Sequence, residues 1–166
     1  MKSGKSGLAS QIALASGKQP VLIATATAMD DEMRRRIARH RRDRSGDWRV
    51  IEEPLSIAES LLSQSDQTVV VIDCLTLWLT NLLLPEDQGL LEREQTALLQ
   101  ALDCVLADVV LVSNEVSMGI VPMGELSRRY CDVAGILHQR VASCCDTVVL
   151  SVAGLPLYLK GQCPGV

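Results

Sequence analysis

Thr68-Val69-Val70-Val71-Ile72-Asp73 is the stretch that decides the fold. Its β-branched apolar run has no polar side, so the segment is expected to form a strand covered on both faces, as in a parallel sheet. It ends in a carboxylate. Similar runs flank it. Upstream, Pro20 to Thr25 follows Gly17, and Trp48-Arg49-Val50-Ile51-Glu52 is a further strand stopped by Pro54. Downstream come Val109 to Ser113, ending in Asn114 and Glu115, then Thr147 to Val152 and, across Gly154, a hairpin partner from Leu155 to Leu159.

Helical patterns fill the intervals. Leu8, Ile12 and Ala15 share one face of an N-terminal helix within residues 2 to 16, and a polar helix is expected from Asp30 to Arg42, its acidic start matching the positive helix end. Leucine spacing marks Leu75 to Leu84 and Leu90 to Ala107, split by the turn Pro85 to Gly89. A Gly- and Pro-containing loop, Ser117 to Gly124, precedes a helix from Glu125 to Ser143. Strands alternating with helices predict an α/β fold, a mostly parallel sheet flanked by helices with an antiparallel edge at its end. In such a sheet ligands bind beyond the carboxyl ends of the strands. Thr25, Glu52, Asp73, Asn114 and Glu115 terminate the apolar runs and are therefore expected in one crevice.

Composition narrows the class. With 166 residues, 48% apolar and 22% charged, the chain suits a single globular domain, residues 1–166. It has two Trp, two Tyr and no Phe, so Leu, Val, Ile and Ala must make the core. The net charge of −4 speaks against general nucleic-acid binding, although half of the basic residues fall between Arg34 and Arg49. The cysteines, Cys74, Cys104, Cys131, Cys144, Cys145 and Cys163, have no zinc-like spacing and read as buried small hydrophobes in a reducing cytosol. Uncharged runs stop at about a dozen residues, short of the roughly 20 of a membrane span, so a cytoplasmic protein is expected.

The N-terminus, Met1-Lys2-Ser3-Gly4-Lys5-Ser6, reads as the back half of G-x-x-x-x-G-K-[ST]. In that motif backbone amides wrap a phosphate at a helix start while Lys and Ser reach phosphate and Mg²⁺. Asp73, after its apolar run, has the form of a Walker B carboxylate that holds Mg²⁺ against nucleotide phosphates. It also suits the plain role of capping the helix that follows. His40 stands on the most basic helix, with Arg36 four residues before it and Arg44 four after. Flanking cations would keep the imidazole neutral, as a nucleophile requires, and could hold a triphosphate. The same pattern also fits a solvated basic helix with an incidental histidine. His138, among Ala134, Leu137 and Val141, reads as structural.

Taken together, Ser3-Gly4-Lys5-Ser6, Ile23-Ala24-Thr25-Ala26, Asp30-Asp31-Glu32-Met33 leading to Arg36-Ile37 and His40, and Val112-Ser113-Asn114-Glu115-Val116-Ser117-Met118-Gly119-Ile120-Val121-Pro122 closely resemble the bifunctional adenosylcobinamide kinase and adenosylcobinamide-phosphate guanylyltransferase family of cobalamin biosynthesis. The resemblance runs on through Asp132-Val133-Ala134-Gly135 to Val152 and covers nearly the whole chain. It implies a RecA-like P-loop NTPase fold and two reactions. The first phosphorylates the aminopropanol hydroxyl of adenosylcobinamide with ATP or GTP. The second moves GMP from GTP onto that phosphate through a histidine-GMP intermediate, for which the matching residue is His40. The resemblance also implies nucleotide contacts from Ser3, Gly4, Lys5, Ser6, Ala24, Thr25, Ala26, Arg41, Arg42, Asp43, Arg44, Glu52 and Asp73. Mg²⁺ is implied at Ser6 and Asp73, and so is assembly as a homotrimer. Glu115 and Arg128 fall on the substrate side by position.

This sequence departs from the family pattern in three places. A strand and Gly-Gly precede S-G-K-S in the family and are not found here, so the domain is expected to be N-terminally truncated, with a start further upstream. Arg41-Arg42-Asp43-Arg44 has no Gly, and an Asp in place of Glu at position 73 keeps the charge. The competing expectations are a truncated, non-catalytic nucleotide-binding homologue and a simple small-molecule P-loop kinase.

Overall fold

A computed structural model describes residues 2–26, 48–85, 87 and 89–162. The elements run α1 (Lys5–Ala15), β1 (Gln19–Ala24), β2 (Arg49–Glu52), α2 (Ile57–Leu62), β3 (Thr68–Asp73), α3 (Leu75–Leu83), α4 (Leu90–Cys104), β4 (Asp108–Val112), α5 (Glu125–Cys144), β5 (Val148–Val152) and β6 (Leu155–Lys160). The polar helix expected from Asp30 to Arg42 lies outside the described residues.

β2, β1, β3 and β4 form one parallel sheet in that order. The decisive strand is central and its core residues are buried on both sides, because alternate side chains of one run enter different clusters. Val70 and Ile72 join Val21 and Ile23 against α2 to α5, while Val69 and Val71 join Leu22 and Val112 against α1. Each fully buried side chain of this kind contributes about 1.5–3 kcal/mol relative to exposure, which makes β1 and β3 the anchor of the domain.

α1 meets the sheet through Ala9 and Ala13, both buried, whereas Ala15 of the expected face is exposed. Leu8 and Ile12 of that face are only partly buried. On the opposite layer Trp78 is wholly buried and donates its indole N–H to the Leu55 carbonyl at 2.7 Å. That bond ties α3 to the connection between β2 and α2.

The two last strands differ from expectation. β5 and β6 pair antiparallel with each other as a separate two-stranded sheet instead of forming an edge of the main one. Lys160 of β6 donates to the carbonyls of Ala142 and Ser143, so the hairpin caps the C-terminal end of α5. The Ser3 carbonyl accepts from Gly154 N–H at 3.0 Å and from the Ser151 hydroxyl at 2.6 Å. The start of the chain thus fastens the hairpin.

The cysteines are less buried than their apolar setting suggests. Cys74, Cys131 and Cys145 are partly buried, but Cys104 and Cys144 are exposed at helix ends, where their thiols turn to the carbonyls of Gln100 and Arg140. Cys163 lies outside the described residues. No helix among the described residues is long and apolar enough to cross a membrane.

Candidate functional site

Strand register brings four ends into one row. Glu52 pairs with Ala24, Ala24 with Asp73, and Asp73 with Val112. The residues that follow these partners therefore leave the sheet side by side at its carboxyl edge. Sequence pattern placed Thr25, Glu52, Asp73, Asn114 and Glu115 there, and the sheet brings all five to that edge.

The connections leaving this edge are held by hydrogen bonds from neighbouring elements. The Thr25 hydroxyl donates to the Cys74 carbonyl and accepts from the Cys74 N–H, both at 2.8 Å. Thr25 is fully buried, so its side chain serves the sheet rather than lining open space. Asn81 of α3 donates to the Thr25 carbonyl at 2.8 Å and to the Pro54 carbonyl at 3.1 Å. Thr76, in the first turn of α3, accepts from both the backbone and the side-chain amide of Asn114. Glu53 accepts from the N–H groups of Leu55 and Ser56 and so shapes the entry to α2.

Gly4 opens α1 with φ 95°, a conformation disfavoured for residues with a Cβ. Among the described residues no side chain caps this helix start. Its first amides are the kind of donors that receive an anion, with the helix dipole adding to the attraction. Lys5 reaches back to the Ser3 hydroxyl at 3.2 Å, and Ser6 lies half-buried in the same turn. Ala24 and Ala26 flank Thr25 and are partly buried, while Glu52 is exposed at the end of β2. Asp73 and Ser6 supply hard oxygen donors, the type that Mg²⁺ takes. His40, Arg41, Arg42, Asp43 and Arg44 lie outside the described residues.

Beyond β4, Ser113 Oγ and His138 Nε2 lie 2.7 Å apart, joining β4's exit to α5. His138 is partly buried, and burial holds its pKa below 6.5 against the opposing pull of Glu115. The Glu115 carboxylate accepts from the hydroxyl and N–H of Ser117, which keep its pKa below the ordinary 4.5. Burial pushes the Cys74 thiol above 9.0, and the neighbouring Asp73 charge adds to that. Arg128 of α5 donates to the carbonyls of Pro122 and Met123, giving the loop before α5 a defined path.

Thr76, Asn81 and Ser113 were not singled out by sequence reasoning. Thr76 carried a usable signal, a hydroxyl three residues beyond a strand-terminal carboxylate. Asn81 had none, being one polar residue in an apolar helix whose partners are distant backbone carbonyls.

The sequence profile of a family described as cobinamide kinase / cobinamide phosphate guanyltransferase matches residues 1–159. The chain is 52% identical over 162 residues to the bifunctional adenosylcobalamin biosynthesis protein CobP of Pseudomonas aeruginosa, covering 97% of this chain and 94% of the relative. It is 35% identical over 173 residues to the bifunctional adenosylcobalamin biosynthesis protein CobU of Escherichia coli, covering 96% and 95% of the two. The CobU of Salmonella typhimurium is 37% identical over 177 residues, with coverage of 96% and 95%.

Proposed function

The chain belongs to the cobinamide kinase / cobinamide phosphate guanyltransferase family, and from that premise we propose how its residues divide a kinase step and a guanylyl transfer. Two observations support this reading: a helix that opens on a left-handed glycine, Gly4, followed by Lys5 and Ser6, and a sheet whose register sets Glu52 and Asp73 on one row.

In the kinase step the α1 amides, Lys5 and the backbone around Ala24 to Ala26 hold the triphosphate of ATP or GTP. The cobinamide aminopropanol hydroxyl attacks the γ-phosphorus, its proton leaves, and the bond to the nucleoside diphosphate breaks. Mg²⁺ held by Ser6 and Asp73 would neutralise the charge on the phosphates. Thr25 shapes this turn from within, since its hydroxyl is engaged by Cys74, its carbonyl by Asn81 and its N–H by the Asp73 carbonyl.

In the transfer step the His40 imidazole attacks the α-phosphorus of GTP, forming a P–N bond as pyrophosphate departs. A phosphate oxygen of adenosylcobinamide phosphate then displaces the imidazole and gives adenosylcobinamide-GDP. Arg41, Arg42 and Arg44 counter the charge that grows on the α-phosphate, and covalent capture splits one demanding displacement into two. Asp43 and Glu52 complete the contacts to GTP.

The enzyme is read as one P-loop NTPase-like domain of the RecA type, acting in the cytoplasm as a homotrimer. The exposed apolar side chains of Val152, Leu155, Leu157 and Leu159 on the hairpin support association, which would cover them.

GTP labelled at its α-phosphate, given with Mg²⁺ and no corrinoid, should leave acid-labile label on the wild-type protein and none on His40→Ala. Label retained by the variant removes His40 from the reaction. Phosphate transfer to cobinamide without any protein-bound GMP would leave a simple kinase. A folded protein with neither activity would be a nucleotide-binding homologue only.

A further inference from the structure

The stretch from Ser117 to Met123, part of the most distinctive block of the sequence, has no part in nucleotide chemistry as derived above. Its side chains are unusually bare: Met118 is 78% exposed, Ile120 98%, Val121 72% and Met123 95%. Its backbone, by contrast, is fixed at both ends. Glu115 accepts from Ser117 at the exit from β4, Arg128 gathers the carbonyls of Pro122 and Met123 at the return, and Thr76 holds Asn114 at the root. Apolar side chains displayed on a pinned loop, without burial to hold them, are organised for contact with something outside the chain.

Position selects the occupant. The loop leaves β4 on the strand row of Asp73, where the acceptor hydroxyl has to meet the nucleotide. That hydroxyl hangs from the corrin ring by a short arm, so the ring must rest close to the carboxyl edge of the sheet. Among the described residues the other exits offer little apolar surface: Thr25 is buried, Cys74 leads directly into α3, and Glu53 to Ser56 are half-buried. A corrin is a broad, methyl-bearing macrocycle rimmed with carboxamides. Two thioethers and two branched aliphatics can adapt to its apolar flank.

We propose that the pinned loop Ser117–Met123 is the seat of the corrin ring, with Met118, Ile120, Val121 and Met123 as its contact surface. This rests on the reading of the chain as a cobinamide kinase. The seat sets the affinity for cobinamide and leaves nucleotide handling untouched.

The test compares the wild type with Ile120→Ser and with the triple variant Met118→Ser, Ile120→Ser, Met123→Ser. Binding of cobinamide is read in equilibrium dialysis from corrin absorbance, beside corrinoid-free labelling by GTP and sedimentation. Roughly tenfold weaker cobinamide binding by the triple variant is expected, with a smaller loss for Ile120→Ser. Labelling by GTP and the sedimentation coefficient should stay at wild-type values. Cobinamide binding equal in all three proteins, or absent from the wild type, overturns the proposal. A changed oligomeric state in the variants overturns it too and makes the loop a subunit interface. Loss of GTP labelling in the wild type with cobinamide binding intact strikes the His40 chemistry alone.

Discussion

Thr25 and Cys74 are bonded reciprocally, one hydroxyl closing both the N–H and the carbonyl of a backbone unit 49 positions away in sequence. The bond pair joins the ends of β1 and β3, so a valine of the same shape at position 25 would leave the Cys74 N–H without its partner, while the Cys74 carbonyl keeps the Trp78 N–H. The expected cost of Thr25→Val is roughly 1–3 kcal/mol in chemical denaturation, while Thr25→Ser should retain most of the stability. A larger loss in Thr25→Ser than in Thr25→Val would mean that the methyl, not the hydroxyl, matters.

Asn81 holds the connections after β1 and β2 together through the carbonyls of Thr25 and Pro54. Asn81→Leu keeps the volume but supplies no donor. A loss of about 1–3 kcal/mol is expected, together with a raised KM for nucleotide, because Ala24 to Ala26 lose their support. An unchanged nucleotide KM in a destabilised Asn81→Leu protein would restrict the residue to a stabilising role.

Gly4 and Gly7 share a helix start but differ in what a methyl would meet. At Gly4 the positive φ already disfavours a Cβ, which would also lie 3.2 Å from the Gly154 Cα. At Gly7, inside α1, a Cβ would meet none of the described residues within 4 Å. Gly4→Ala should therefore lose at least about 1–2 kcal/mol and weaken nucleotide binding, whereas Gly7→Ala should gain roughly 0.5–1 kcal/mol in stability. Thermal denaturation of the pair checks this, and a stabilised Gly4→Ala would refute the close approach to Gly154.

Much of this architecture was legible where one physical effect dominates. β3 begins and ends as expected, since a short apolar run rich in β-branched residues and bounded by polar ones suits a buried strand. Both helices of the leucine-rich stretch were separated correctly at Pro85 to Gly89. α2 was missed because six residues after Pro54 are too short to show helical periodicity, and Ile57, Ala58 and Leu61 become a buried face only against the core. The pairing of β5 with β6 alone was equally hidden, because local pattern gives a strand its existence and not its partner. The carboxyl-edge row was readable from strand ends, but the bonds that hold it were not. Thr25 to Cys74, Asn81 to Pro54 and Ser113 to His138 each join residues far apart in sequence, which periodicity cannot relate.

His138 makes stability depend on pH in a defined direction. Burial lowers its pKa in the folded chain below 6.5, so between the folded value and 6.5 the unfolded chain binds more protons than the native one. Its contribution is complete above pH 6.5 and is lost as pH falls through the folded value. Glu115, also lowered in the fold, acts in the same sense below its ordinary 4.5. Denaturant midpoints should hence be level from neutrality up to the range where thiols ionise, fall first below pH 6.5 and fall again in the carboxylate range. The first decline is modest, because His138 is only partly buried and solvent weakens its penalty. His138→Gln retains groups able to bond the Ser113 hydroxyl but has no proton to gain, so the decline just below pH 6.5 should be shallower in this variant. If wild type and variant fall in parallel through that window, the pair is neutral toward protons and another group drives the dependence.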